Sequence, residues 1–138
     1  MTVEEPKWLE INRMTDNGGV LQVLELPFVA KRTYFIQRVP HGSERGFHAH
    51  RGLRQIFFAT QGNFEIELTT SVTKKHYFID SNDGKALLVP PGYWRVLSKF
   101  SEEATCMVIA SEHYDESDYI RNFEEYNSWY KENFKNES

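Results

Sequence analysis

The sequence predicts an all-β fold, a barrel or sandwich of two antiparallel sheets, followed by one C-terminal helix. Three observations carry this. Short apolar or alternating runs recur through the middle of the chain at lengths that strands use. Turn-forming clusters separate them: NGG, PHGS, SNDG, PPG and SEE. Near the C-terminus the period changes, with Phe123, Tyr126, Trp129 and Tyr130 spaced as on one face of a helix.

The elements follow in order. VLQVLEL (20–26) is apolar and rich in branched side chains, as a strand would be. RTYFIQRV (32–39) alternates and places Arg32, Tyr34, Ile36 and Arg38 on one face. QIFFAT (55–60) leads into a QGN turn. NFEIELTT (63–70) sends Phe64, Ile66 and Leu68 inward and Glu65 and Glu67 outward. HYFI (76–79), ALLV (86–89), YWRVL (93–97) and ATCMVIA (104–110) complete the strands. The helix is expected over about 122–134, its aromatics docking on the sheet rather than lining a site. The closing KNES is expected to fray.

Bulk properties narrow the function. The 138 residues suit one domain spanning 1–138, with enough apolar content, 40%, to build a core. A net charge of -4 argues against a nucleic-acid partner. One cysteine, Cys106, excludes an internal disulfide framework; its apolar run reads as a buried structural thiol, and a reducing cytoplasm fits. No run has the make-up of a signal peptide or the length of a membrane span, so no membrane partner is expected.

The chemistry gathers at GFHAHRGLRQ (46–55). On a strand, His48 and His50 point to the same face, about 7 Å apart at the backbone. Such a pair holds a metal ion or places a base beside a substrate. The spacing resembles the two motifs of the cupin barrels. Gly42, five residues, His48-Ala49-His50, four residues, Gln55, six residues and Gly62 follow the first motif. Gly84, five residues, Pro90-Pro91-Gly92, two residues and Arg95 follow the second. That resemblance implies a jelly-roll barrel of two antiparallel sheets with an internal pocket.

The donor set differs from that of a metal-binding cupin. Gln55 stands where a carboxylate would be, and Arg95 where a third imidazole would be. A guanidinium repels a cation, and glutamine is a weak neutral ligand. His41, His76 and His113 lack the spacing to replace what is missing. No tightly bound metal is therefore expected. The bland alternative for His48 and His50 is a pair of polar side chains on a solvated face. The reading that remains is a metal-free pocket, in which a nearby arginine lowers the histidine pKa and keeps a base neutral.

KRTYFI, RGFHAH with Gln55 following, VPPGYWR and SEHYDESDYIRNFEEY resemble the nucleotide-sugar 3,4-ketoisomerases, from about Asp16 to Tyr126. The resemblance implies a small cupin enzyme acting on dTDP-4-keto-6-deoxy-D-glucose without metal or organic cofactor, and a homodimer in which VLQVLEL could take part. It implies His48 and His50 as the acid–base pair, with His48 serving carbon and His50 the oxygens. Tyr34 would hydrogen-bond the sugar and stands with the catalytic residues. Arg45 would steady oxyanion charge or hold the diphosphate, with Arg32, Gln55, Trp94 and Arg95 as further substrate-binding candidates. For Arg121 the expected role is a salt bridge to Asp115, Glu116 or Asp118. The chain departs from the family pattern at Asp16-Asn17-Gly18-Gly19, where an arginine is absent. Arg95 favours a gluco over a galacto product. A 3,5-epimerase and a non-catalytic sugar-binding cupin are the competing readings.

Overall fold

The computed structural model describes residues 2–134; the KNES tail lies outside them. Twelve strands run β1 (Lys7–Glu10), β2 (Asn12–Asp16), β3 (Gly19–Val23), β4 (Arg32–Gln37), β5 (Arg45–His50), β6 (Gln55–Gln61), β7 (Asn63–Thr69), β8 (Lys74–Asp80), β9 (Lys85–Val89), β10 (Trp94–Ser98), β11 (Thr105–Ala110) and β12 (Tyr119–Ile120). Among the described residues, a single 3-10 turn, Glu116–Asp118, precedes β12, and one helix, α1 (Phe123–Asn133), follows it. One five-stranded sheet has the order β1-β9-β6-β11-β4, and the other β12-β5-β10-β7-β8. All their pairings are antiparallel. This is the cupin-type jelly roll.

The two sheets enclose a core in which β7 supplies Phe64, Ile66 and Leu68, each fully buried. They meet Ile79 from β8, Leu87 and Val89 from β9, Leu97 from β10, and Cys106 and Val108 from β11. Each such side chain contributes about 1.5–3 kcal/mol of burial free energy. Burial of the Cys106 thiol raises its pKa to about 12, which suits packing rather than chemistry.

The outer faces are covered as well. Ile56, Ala86 and Leu88 on the first sheet lie beneath Leu9, Ile11, Leu24 and Phe28. That is why QIFFAT is buried on both faces and does not alternate. On the second sheet, α1 lays Tyr126 and Tyr130 over Ala49, Trp94 and Ile120. The helix starts where Asn122 caps it, its side-chain oxygen accepting from Glu125 N at 2.9 Å. Tyr126 Oη donates to Gly92 O at 2.6 Å, tying α1 to the turn before β10.

Three expectations are corrected. VLQVLEL is not one strand of the barrel. Its first part is β3, which among the described residues pairs only with β2 in a separate hairpin, with Val20 and Leu21 exposed. β4 ends at Gln37, and Arg38 turns away at φ 58°, so it does not share the face of Arg32, Tyr34 and Ile36. Trp94 does not share the side of Arg95. Neighbours on a strand alternate, and Trp94 packs outward against Phe123 and Tyr126, with ring centroids 5.2 and 5.8 Å away.

Candidate active site

The inward face of β5 and β10 opens into a cavity of about 430 Å³, within the range of small-ligand sites. Arg32 and Tyr34 come to it from β4, Arg45 and His48 from β5, Arg95 from β10, and Tyr119 and Arg121 from the C-terminal segment.

A bulge sets this arrangement. Arg95 pairs with His48, but its neighbour Val96 pairs with Gly46, which leaves Phe47 as the extra residue. The insertion reverses the in–out alternation, so Arg45 and His48, three apart, both reach the cavity. Gly46 sits at φ 106°, and a Cβ there would lie 2.8 Å from the Arg95 carbonyl oxygen. Only glycine fits that close approach. Phe47 accepts φ 58°, a strained value for a bulky residue beside a site.

The imidazoles stand edge to face with centroids 4.9 Å apart, and the Tyr119 ring lies 5.0 Å from His48 and 4.4 Å from His50. Their tautomers follow from their partners. His48 Nδ1 is 3.1 Å from Gly46 O, which can only accept, so Nδ1 carries the hydrogen. Neutral His48 therefore has its lone pair on Nε2. His50 Nδ1 is 2.8 Å from Asp118 Oδ2. Burial pushes His48 down to about 3, with the charges of Arg95 and His50 adding to it. His50 is pushed down to about 4, again mainly by burial, with Asp118 opposing. Both are neutral bases at physiological pH.

Arg95, paired with His48 across β10 and β5, is only 1% exposed. Burial lowers its pKa only to about 10, so it stays charged. It donates to Gln55 Oε1 and to Tyr93 O. Gln55 Nε2 in turn donates to Tyr34 Oη at 2.8 Å, which leaves the phenol hydrogen free to point at a ligand. Gln55 thus stands behind the cavity wall and connects Arg95 to Tyr34. Burial raises the Tyr34 pKa, so its hydroxyl is a hydrogen-bond donor rather than an anion.

The cavity lining is cationic, with Arg32, Arg45, Arg95 and Arg121. The Arg32 guanidinium lies 5.3 Å from the Tyr34 ring centroid and 5.8 Å from that of Tyr114. Arg121 lies 4.2 Å from the Tyr119 centroid. As expected, Arg121 forms a salt bridge to Glu116, in a two-point contact at 2.7 and 2.8 Å, but it also lines the cavity. Such an array suits a phosphate-bearing ligand. Among the described residues, no three His, Cys, Asp or Glu side chains converge as metal ligands. The structure thus gathers Arg32, Tyr34, Arg45, His48, His50, Gln55 and Arg95, and leaves Trp94 outside. The sequence reading missed Gly46, Asp118 and Tyr119. The last two stood in the YDESDYIR stretch, Asp118 named only as a candidate partner of Arg121 and Tyr119 with no role assigned.

A jelly roll holding two adjacent neutral imidazoles and a buried arginine has the groups that proton transfer needs. Residues 4–131 match the FdtA family model, described as WxcM-like, C-terminal. The chain is 32% identical over 129 residues to a TDP-4-oxo-6-deoxy-alpha-D-glucose-3,4-oxoisomerase of Aneurinibacillus thermoaerophilus, covering 91% of this chain and 92% of that one. The crystal structure of the 3,4-ketoisomerase QdtA from Thermoanaerobacterium thermosaccharolyticum in complex with TDP is similar, with TM-score 0.88 and 32% identity, covering 94% of this chain and 96% of that one. The TDP-quinovose 3,4-ketoisomerase WlaRB of Campylobacter jejuni gives TM-score 0.84 and 32% identity, covering 91% and 99%. The chain belongs to this FdtA family of TDP-sugar 3,4-ketoisomerases.

Proposed function

We propose that the protein converts dTDP-4-keto-6-deoxy-D-glucose to a dTDP-3-keto-6-deoxyhexose, with His48 as the base at carbon. The observation that carries this is the neutral His48 on the cavity wall. Its Nδ1–H is held by Gly46 O, and its Nε2 remains available as a base. His48 Nε2 takes the C3 proton, and the electron pair moves through C3–C4 onto the ketone oxygen. The resulting enediolate is met by positive charge from Arg95 and by the Tyr34 hydroxyl; one such donor is worth about 10²–10³ in rate. The C3 hydroxyl then gives up its proton, C3 becomes the carbonyl, and C4 and its oxygen each take a proton. Protons and electrons balance without an external oxidant. His50 serves the two oxygens, and the lining arginines Arg32, Arg45 and Arg121 hold the diphosphate.

Arg95 supports the gluco product. In that product the C4 hydrogen lies on the ring face opposite to the one the C3 hydrogen occupied in the substrate, so label on substrate C3 would not pass to product C4. The product suits an aminotransferase that makes a 3-amino-3,6-dideoxyhexose. A homodimer is part of the reading, supported by the exposed apolar side chains Met14, Val20 and Leu21 on the β2–β3 hairpin. No helix is long and apolar enough to cross a membrane among the described residues, which is compatible with the proposed cytoplasmic site.

The test is incubation with the 4-keto substrate in deuterated water with chelator present, followed by NMR. Isomerisation with deuterium at C4 is expected. Exchange at C5 would point to an epimerase, inertness to a binding protein, and loss of turnover on chelation would contradict the metal-free mechanism.

A further inference from the structure

We propose that Asp118 is the positioning residue for His50, fixing its tautomer and balancing the charge it gains when it carries a proton between the substrate oxygens. The inference rests on the ketoisomerase reading for the proton it moves, though not for the geometry.

Asp118 is fixed from several directions. It ends the 3-10 turn Glu116–Asp118, which Asp115 caps by accepting from Ser117 N at 3.0 Å. Its own N–H donates to Asp115 O, and its carbonyl accepts from Arg51 N at 2.9 Å. Carboxylate Oδ1 accepts from Gly52 N at 2.7 Å, while Oδ2 faces His50 Nδ1 at 2.8 Å. Burial works against ionisation, but hydrogen bonds from His50, Gly52 N and Leu53 N hold its pKa below the ordinary value. An ionised carboxylate only accepts, so His50 must carry its hydrogen on Nδ1.

That leaves Nε2 of His50 as the reactive atom. His50 is fully buried, and Nε2 has no hydrogen-bond partner among the described residues. His50 packs directly behind two residues of the cavity lining, His48 and Tyr119, with ring centroids 4.9 and 4.4 Å away. Two cations, Arg95 and Arg32, oppose any positive charge on it. Asp118 is the anion bonded to it, and Tyr119 and His48 complete its surroundings. Without that carboxylate, the imidazolium would form between guanidinium groups with no counter-charge. With it, Nε2 takes the proton of the C3 hydroxyl as the C3 carbonyl forms and returns it to the C4 oxygen. His50 ends as it began. The arrangement parallels histidine–aspartate pairs elsewhere, in which the carboxylate orients the ring and stabilises its charged form without taking the proton.

The sequence alone hides this pair, because 68 positions separate its members. The β12–β5 pairing, Tyr119 opposite His50, brings them together.

The test uses the full chain, 15N-labelled at histidine. In the free wild type, NMR should show neutral His50 protonated at Nδ1; protonation at Nε2 would overturn the proposal whatever the substrate. Asp118→Asn presents an amide to Nδ1 and should shift the hydrogen to Nε2. Its kcat should fall about 10²–10⁴-fold with KM within about threefold, as expected for a misoriented acid–base group. In a His50→Asn background, adding Asp118→Asn should cost less than about threefold, because the two act as one unit. An Asp118→Asn enzyme within about threefold of wild-type kcat would overturn the proposal. So would an equal loss with His50 already removed, which would mark a purely structural role. If Asp118→Asn does not fold, the wild-type tautomer still decides. If the wild type does not isomerise the substrate, the ketoisomerase reading fails, while the tautomer result stands on its own.

Discussion

Between the same two sheets, Phe64, Ile66, Leu68 and Ile79 fill one region with hydrocarbon, while Arg95, His50 and Gln55 fill another and are just as fully buried. The apolar region follows from alternation and gains from every atom it removes from water. The polar region loses by the same measure. Burying a guanidinium and two imidazoles is costly unless each is held by partners. Arg95 has Gln55 and Tyr93, His48 has Gly46, and His50 has Asp118. The difference teaches where stability ends and function begins. One region can change shape and alter only stability, whereas the other can change chemistry and alter mainly turnover.

The largest expected effect lies on the apolar side. Ile66→Ala should lower the unfolding free energy by about 2–5 kcal/mol, read by urea titration, with kcat of the remaining folded enzyme within about threefold. A loss of kcat matching the loss of stability would break the separation between regions. Next comes Arg95→Met. Turnover should fall about 10²–10³-fold, while stability changes by less than about 1.5 kcal/mol, because relief of the buried charge offsets the unpaired Gln55 oxygen. A collapse of stability would show that Arg95 is retained for the fold.

The smallest effect is in pH. Folded His48 titrates near 3 and His50 near 4, against about 6.5 for an unfolded histidine. Below pH ~6.5 the unfolded chain therefore binds protons that the folded chain refuses. Their contribution is fully present above that pH and is lost as pH falls towards 4 and 3. Between pH 7.5 and 6 the loss should be on the order of 1 kcal/mol by denaturant titration, and smaller in His48→Asn. A rise in stability on acidification would contradict the neutral pair.

These regions were not equally legible. The period of two in NFEIELTT gives β7 and its three core residues directly, because a one-residue slip would expose all of them. Motif spacing gave Gln55 and Arg95 their places in the site. Alternation would also have turned Trp94 away from Arg95, yet tryptophan beside a pocket motif invites the opposite reading. VLQVLEL shows the limit of composition: it is apolar, but the NGG turn pairs it with β2 outside both sheets. Asp118 and Tyr119 escaped because their positions depend on a two-residue strand pairing with β5, too short to leave a periodic signal. The bulge at Phe47 shows in the sequence only as Gly46.

The central claim is that His48 takes the proton from carbon. It is tested most directly by the rate at which the C3 hydrogen of the bound 4-keto sugar is lost, as protein-catalysed turnover in deuterated water, in wild type against His48→Asn. The account predicts a drop of at least about 10³-fold, with TDP affinity within about threefold. C3 exchange in His48→Asn at close to the wild-type rate would contradict it.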